Sequence, residues 1–124
     1  MREMIREERA LYIPWVEDDD LVPLYQAASY YVCSSTVDGE ALMLKESMQS
    51  GTPVITSPLL KEAIGGNGLI IKNPKSVQDT SKVLRIAMGN ESKRKKLIKD
   101  GLKWTKDITW RRVANNILTF LESR

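Results

Sequence analysis

The chain has 124 residues, 42% of them hydrophobic and 28% charged, with a formal net charge of +3, which fits one soluble globular domain with an ordinary core. Its longest unbroken apolar runs are a few residues, such as Leu69-Ile70-Ile71, against the roughly 20 needed to cross a bilayer, and the mixed charges of Met1 to Glu8 do not form a secretory signal, so a cytoplasmic location is expected. A single cysteine and no histidine exclude Ser-His-Asp and Cys-His nucleophile chemistry and argue against a zinc site.

In chain order, four short runs have the β-branched or aromatic character of buried parallel strands bounded by turn residues: Leu11 to Trp15, Tyr30 to Ser34, Pro53 to Ser57 and Leu69 to Lys72. Cys33 falls in the second, where it reads as a small buried strand side chain. Between the first two runs, Asp20 to Ala28 carries Leu21, Leu24, Tyr25 and Ala28 at helical spacing, and Asp18 to Asp20 supply the negative charge that suits a helix N-terminus. Glu40 to Ser50 is a second helix, entered from the Asp38-Gly39 turn and stopped at Gly51.

The last third is helical throughout. Ser76 and Asp79 form a capping box ahead of an inner face of Val77, Thr80, Val83, Leu84 and Ala87. A helix over about Ser92 to Lys106 follows. Thr109 then caps a last one, whose Trp110, Val113, Ala114, Ile117, Leu118 and Leu121 make an apolar stripe that is expected to dock on something. Strands alternating with helices predict an α/β fold, a Rossmann-like parallel sheet of about four strands with flanking helices. The expected organisation is a single partial domain over residues 1–124, its C-terminal helices covering about 76–123.

Charge is unevenly spread. Met1 to Ser50 carries four basic against ten acidic residues, a net of −6, whereas Lys93 to Arg112 carries nine basic against two acidic, a net of +7. The bland reading of the run Lys93-Arg94-Lys95-Lys96 with Lys99, Lys103 and Lys106 is one solvated helix face. The alternative is contact with an anionic membrane surface, with Trp104 nearby. Nucleic acid is not an expected partner, since no aromatic platform interleaves with these cations.

In parallel α/β sheets ligands bind beyond the carboxyl ends of the strands. The strand ending at Ser34 leads through Asp38-Gly39 into a helix whose first N–H groups, on Glu40, Ala41 and Leu42, have no intrahelical partner and suit a phosphate. Asp38 and Glu46 bracket that site with seven residues between them, and carboxylates accept hydrogen bonds from sugar or ribose hydroxyls. Read singly, Asp38 is also a good turn and N-cap residue, Glu46 a solvated helix residue, Ser34 and Ser35 strand-end polar groups and Glu62 a surface residue.

The run D-G-E-A-L-M-L-K-E-S-M-Q-S-G-T-P-V-I resembles the E-G-x-x-x-x-x-x-E-A-M-A-x-G-x-P-V-I pattern of the family 4 (group 1) glycosyltransferases, which have the GT-B architecture of two Rossmann-like domains. The resemblance extends over nearly the whole chain, through Val16 to Ala28, Glu62, the turn and strand from Gly66 to Ile71, and Trp110. It implies a C-terminal, donor-binding region of a retaining hexosyltransferase, in which Asp38 contacts the donor sugar and is the catalytic candidate. It further implies that Glu46 meets the ribose, the backbone of Gly39, Glu40, Ala41 and Leu42 the diphosphate, and Val16 the nucleobase, with Ser35 and Glu62 completing the set. The nucleoside diphosphate sugar is the substrate, with no separate cofactor and no metal ligand set.

There are two departures from the family pattern: Asp38 stands for the first Glu, and Glu40-Ala41 for a common Phe-Gly. Segments like the family's Gly-Arg strand end and its Lys, and an acceptor-binding domain, are not found in the sequence. The expectation is therefore the C-terminal part of a transferase, inactive alone and needing an N-terminal acceptor domain or a companion chain. The alternatives are a non-catalytic nucleotide-sugar-binding or assembly module, and a sugar-nucleotide epimerase of similar architecture, which the lack of histidine disfavours.

Overall fold

Three strands, β1 (Tyr31–Cys33), β2 (Val54–Thr56) and β3 (Gly68–Ile70), pair in parallel in the order β1-β2-β3 in a computed structural model of the chain. The structure describes residue 7, residues 9–37 and residues 41–123. Five α-helices accompany the sheet among these residues: α1 (Asp18–Ala27), α2 (Leu42–Gln49), α3 (Val77–Gly89), α4 (Glu91–Thr105) and α5 (Trp110–Glu122), with two short 3-10 turns over Pro58–Leu60 and Glu62–Ile64. The α/β, Rossmann-like parallel sheet expected from the sequence is what the chain forms.

Register explains the two-layered core. Val54 pairs with Tyr31 and Gly68, Ile55 with Val32 and Leu69, and Thr56 with Cys33 and Ile70. Successive side chains of β2 point to opposite faces, so a strand buried at all three positions must be covered on both. On one face Val54 packs with Ala41, Leu44 and Met48 of the α2 region and with Leu60 and Ile64, with Cys33 and Trp104 at the margin. On the other, Ile55, Leu69 and Ile71 pack with Ala87 of α3, and Val83, Leu84 and Leu97 lean on them.

The helix boundaries have local causes. The Ser76 hydroxyl accepts from the Asp79 N–H at 3.2 Å and the Thr109 hydroxyl from the Arg112 N–H at 3.2 Å, the two caps the sequence predicts. The α4 cap is Asn90, whose Oδ1 accepts from the Lys93 N–H at 2.8 Å, so this helix starts before Ser92. The end of α2 is set by Gly51, in the left-handed region at φ 83°. Gly101 brings α4 against α2, with the Met48 methyl 3.3 Å from where a Cβ would stand.

One expected strand does not form. Leu11 to Trp15 pairs with nothing in the sheet, and Leu11, Tyr12 and Trp15 are 83%, 70% and 75% exposed, so the sheet has three strands among the described residues rather than about four. An extended segment without a neighbouring ladder gains neither cross-strand hydrogen bonds nor a covered face. The second difference is α5. Its predicted stripe forms, but no residue of the helix is buried among the described residues, and Ile117, Leu118 and Leu121 are all more than half exposed.

Candidate functional site

The carboxyl ends of β1 and β2 are tied together by serines. Ser57 Oγ donates to the Ser35 carbonyl at 2.6 Å, and the Thr56 hydroxyl donates to the Cys33 carbonyl at 2.9 Å. Ser35 uses its own hydroxyl locally, donating to the Val37 carbonyl at 2.7 Å and accepting from the Val37 N–H at 3.2 Å, a turn that redirects the chain after β1. Asp38, Gly39 and Glu40 lie outside the described residues.

Ala41 lies in the left-handed region, φ 51° and ψ 40°, immediately before α2. A side chain there costs about 1–2 kcal/mol relative to the right-handed helix. Ala41 is the position at which the family pattern commonly has Gly, so this departure has a conformational consequence. Its methyl is 1% exposed and belongs to the core cluster that offsets the strain. The carbonyl of Ala41 accepts from the Leu44 N–H at 3.1 Å and the Lys45 N–H at 3.3 Å, which starts the helix and leaves its first N–H groups beyond β1. The helix therefore begins at Leu42, two residues later than the sequence reading had it.

Glu46 lies one turn into α2, exposed, and lines two clefts. The first, about 310 Å³, runs between α1 and α2 past Asp18, Leu21, Val22, Tyr25 and Gln26. The second, about 620 Å³, lies between α2 and the start of α5, where Leu42, Lys45 and Gln49 face Ile108, Trp110 and Val113. Leu42 and Glu46 thus share one cleft. Neither cleft is lined by Val16, half-buried just ahead of α1, by Ser35, or by Glu62, exposed on the turn after β2.

Two side chains absent from the sequence reading of the site line the first cleft beside Glu46. The Tyr25 hydroxyl donates to Glu46 Oε2 at 3.4 Å. Burial, then the Glu46 charge, push the Tyr25 phenol from its ordinary 10.0 up to about 12, so it is a donor at neutral pH. Gln49, one turn beyond Glu46, donates its amide to the Thr105 carbonyl at 3.2 Å and the Ile108 carbonyl at 2.8 Å, fixing the end of α4 against α2. Tyr25 had a signal only as one member of the apolar stripe of α1, and Gln49 had none.

A parallel sheet covered on both faces, with a carboxylate-bearing helix following a strand's carboxyl end, defines a Rossmann-like α/β architecture. Comparison with known proteins gives the family: residues 3–104 match the sequence model of the glycosyl transferases group 1, and the chain belongs to that family. It is 33% identical over 107 residues to O-antigen chain mannosyltransferase B of Escherichia coli, covering 85% of this chain and 28% of that protein. It is also similar to spore coat protein SA of Bacillus subtilis (28% identity, 95% of this chain, 33% of that protein). Mannosylfructose-phosphate synthase of Agrobacterium fabrum is a further relative (25% identity, 95% of this chain, 27% of that protein). The chain spans about a third or less of the length of these curated relatives.

Proposed function

We propose that this chain is the donor-binding part of a retaining glycosyltransferase, holding a nucleoside diphosphate sugar between α1, α2 and the carboxyl ends of β1 and β2. The observation that carries the reading is Glu46, on the exposed side of α2 between two clefts and at the second acidic position of the family motif. In this reading Glu46 accepts from the ribose hydroxyls, the N–H groups at the start of α2 meet the diphosphate, and Asp38 contacts the donor sugar. Val16, Ser35 and Glu62 line neither cleft and are assigned to donor contact by the family resemblance alone. One relative is named a mannosyltransferase and another a mannosylfructose-phosphate synthase, which favours mannose in the donor. The reaction breaks the bond from the anomeric carbon to the diphosphate and forms one to an acceptor oxygen. Charge developing on the leaving diphosphate must be stabilised for this. We assign acceptor binding, and the remaining charge stabilisation, to a portion outside this chain, so that the chain alone binds donor without turnover.

Titration calorimetry with a panel of UDP-, GDP- and ADP-sugars that includes mannose tests the reading. Binding of one panel member is expected, weakened about 10- to 100-fold in Glu46→Ala as hydrogen bonds to a charged acceptor are lost. No binding across the panel, or equal binding by Glu46→Ala, rejects it. A second reading, a non-catalytic module that assembles with a separate acceptor half, is supported by the exposed apolar face of α5. Co-elution with a candidate acceptor half, abolished by Ile117→Asp, separates it from the first. The exposed lysines of α4 support contact with an anionic bilayer, which sedimentation with vesicles containing acidic lipid, against neutral ones, would register.

A further inference from the structure

An exposed glutamate on a helix is free to sample several rotamers, and engaging a ligand removes that freedom at an entropic cost. A carboxylate that is to discriminate hydroxyl positions gains from being held before the ligand arrives. Among the described residues, the phenol of Tyr25, 21 residues earlier in the chain, donates to Glu46.

That phenol is fixed from several directions. Tyr25 is 7% exposed. Its ring meets Tyr31 edge to face, with centroids 5.5 Å apart and planes at 82°. Its carbonyl accepts from the buried Thr52 hydroxyl at 2.6 Å, and the Thr52 carbonyl accepts from the Ser47 hydroxyl at 3.1 Å. The base of the ring is therefore tied to the C-terminal end of α2, the helix that carries Glu46. Any sliding of α1 along α2 must break a buried hydrogen bond. The Tyr25 hydroxyl approaches one carboxylate oxygen only, which leaves the other, and the remaining lone pairs, for a ligand in the cleft both residues line.

We propose that Tyr25 is a positioning residue for the donor site, holding the Glu46 carboxylate in its ligand-accepting orientation without itself touching the ligand. This inference rests on the reading of Glu46 as a donor-binding carboxylate. At 3.4 Å the contact is longer than the usual 2.5–3.0 Å of an O–H to oxygen hydrogen bond, so its effect falls below the range for charged acceptors and near that of an ordinary neutral hydrogen bond. About fivefold in affinity is expected.

The test is a double-mutant cycle on the whole chain, using Tyr25→Phe, Glu46→Gln and their combination, with Glu46→Ala alongside. Tyr25→Phe keeps the ring and its edge-to-face contact. Dissociation constants for the panel nucleotide sugars are measured by calorimetry. Ultraviolet titration of the tyrosines reports the pair without any ligand. The proposal expects Tyr25→Phe to weaken binding about fivefold, with no further loss when Glu46 is already glutamine, and Glu46→Gln to bring one tyrosine titration down towards the ordinary value. Unchanged affinity in Tyr25→Phe, while Glu46→Ala weakens binding, overturns the positioning role and leaves the donor site standing. The same is true if Tyr25→Phe loses as much in the Glu46→Gln background as in the native chain, since the phenol then acts on something other than Glu46. If Glu46→Ala binds like the native chain, or nothing in the panel binds, the donor reading and the positioning role fall together.

Discussion

Gly65 and Gly66 are adjacent, both left-handed, and differ in one respect that makes their substitution informative. Gly65 has φ 57° and Gly66 φ 74°. A Cβ on Gly66 would meet nothing within 4 Å, whereas one on Gly65 would stand 2.9 Å from Trp104 Cδ1 and closer still to the indole nitrogen. Alanine at either position incurs roughly 1–2 kcal/mol for left-handed backbone with a Cβ. At Gly65 the methyl must also displace an indole that packs on the core cluster of Leu44, Met48 and Val54, an overpacking worth typically about 1–3 kcal/mol. Gly65→Ala should therefore destabilise by about 2–5 kcal/mol and Gly66→Ala by about 1–2. Urea unfolding followed by far-ultraviolet circular dichroism and by tryptophan fluorescence gives both values. The difference isolates the indole contact, because the backbone strain is common to the pair. Equal destabilisation of the two variants would mean that Trp104 does not close over Gly65, and that α4 is held against the turn after β2 by something else. Glu62 sits on that turn, with its carbonyl accepting from the Gly65 N–H at 2.9 Å, so a loosened turn also moves one candidate donor-site residue.

Four further outcomes follow from the geometry. Ala41→Gly should fall within about 1 kcal/mol of the native chain, because relief of roughly 1–2 kcal/mol of left-handed strain is offset by a lost buried methyl and by glycine's larger unfolded-state entropy, while the β-branched Ala41→Val should destabilise by more than ~2 kcal/mol; thermal unfolding of the pair checks this. Gln49→Leu, which leaves the Thr105 and Ile108 carbonyls without their amide donor, should destabilise by about 1–2 kcal/mol in urea unfolding. Because the phenol of Tyr25 titrates at about 12 in the fold and near 10.0 unfolded, its contribution to stability is complete below pH 10 and is lost as the pH rises towards 12. Urea midpoints at pH 8 and pH 11 should therefore fall further apart in the native chain than in Tyr25→Phe. Ile117→Gln on the 55% exposed face of α5 should change stability by less than about 0.5 kcal/mol; a larger loss would show that the face is covered in solution.

What the sequence conveyed, and what it withheld, follow the range of the interactions involved. Helix caps are decided within three residues, and Ser76 with Asp79 and Thr109 with Arg112 were readable for that reason. The three strands that formed are short apolar runs that neighbour one another in sequence and pair in that order. Leu11 to Trp15 has the same composition, but a strand is a property of a pair, and nothing in a run of residues states whether its partner is present. The family motif located Glu46, since its spacing survives in the linear chain. Tyr25 escaped because an aromatic residue on the inner stripe of a helix is read as core, and its packing is indeed that of core; the single polar atom that reaches Glu46 crosses 21 residues of sequence. The departure at Ala41 was visible as a residue change, but its weight lies in backbone geometry, which only the fold displays.

Strain at Ala41 and the position of Glu46 belong to one argument. An α-helix turns by about 100° per residue, so beginning α2 one residue earlier or later, in continuous register with the preceding chain, would rotate Glu46 by that angle around the axis. Tyr25 is held by Thr52 and Tyr31 and would not follow. The left-handed residue stands immediately before α2, and the helix starts where Leu44 and Met48 pack with Val54 while Glu46 meets Tyr25. A glycine would adopt that conformation without strain but would remove a methyl from the core cluster, whereas any larger side chain would meet both the backbone restriction and the packed interior. Ala41 thus joins a buried methyl of the core cluster to the start of the helix that carries the candidate ribose carboxylate.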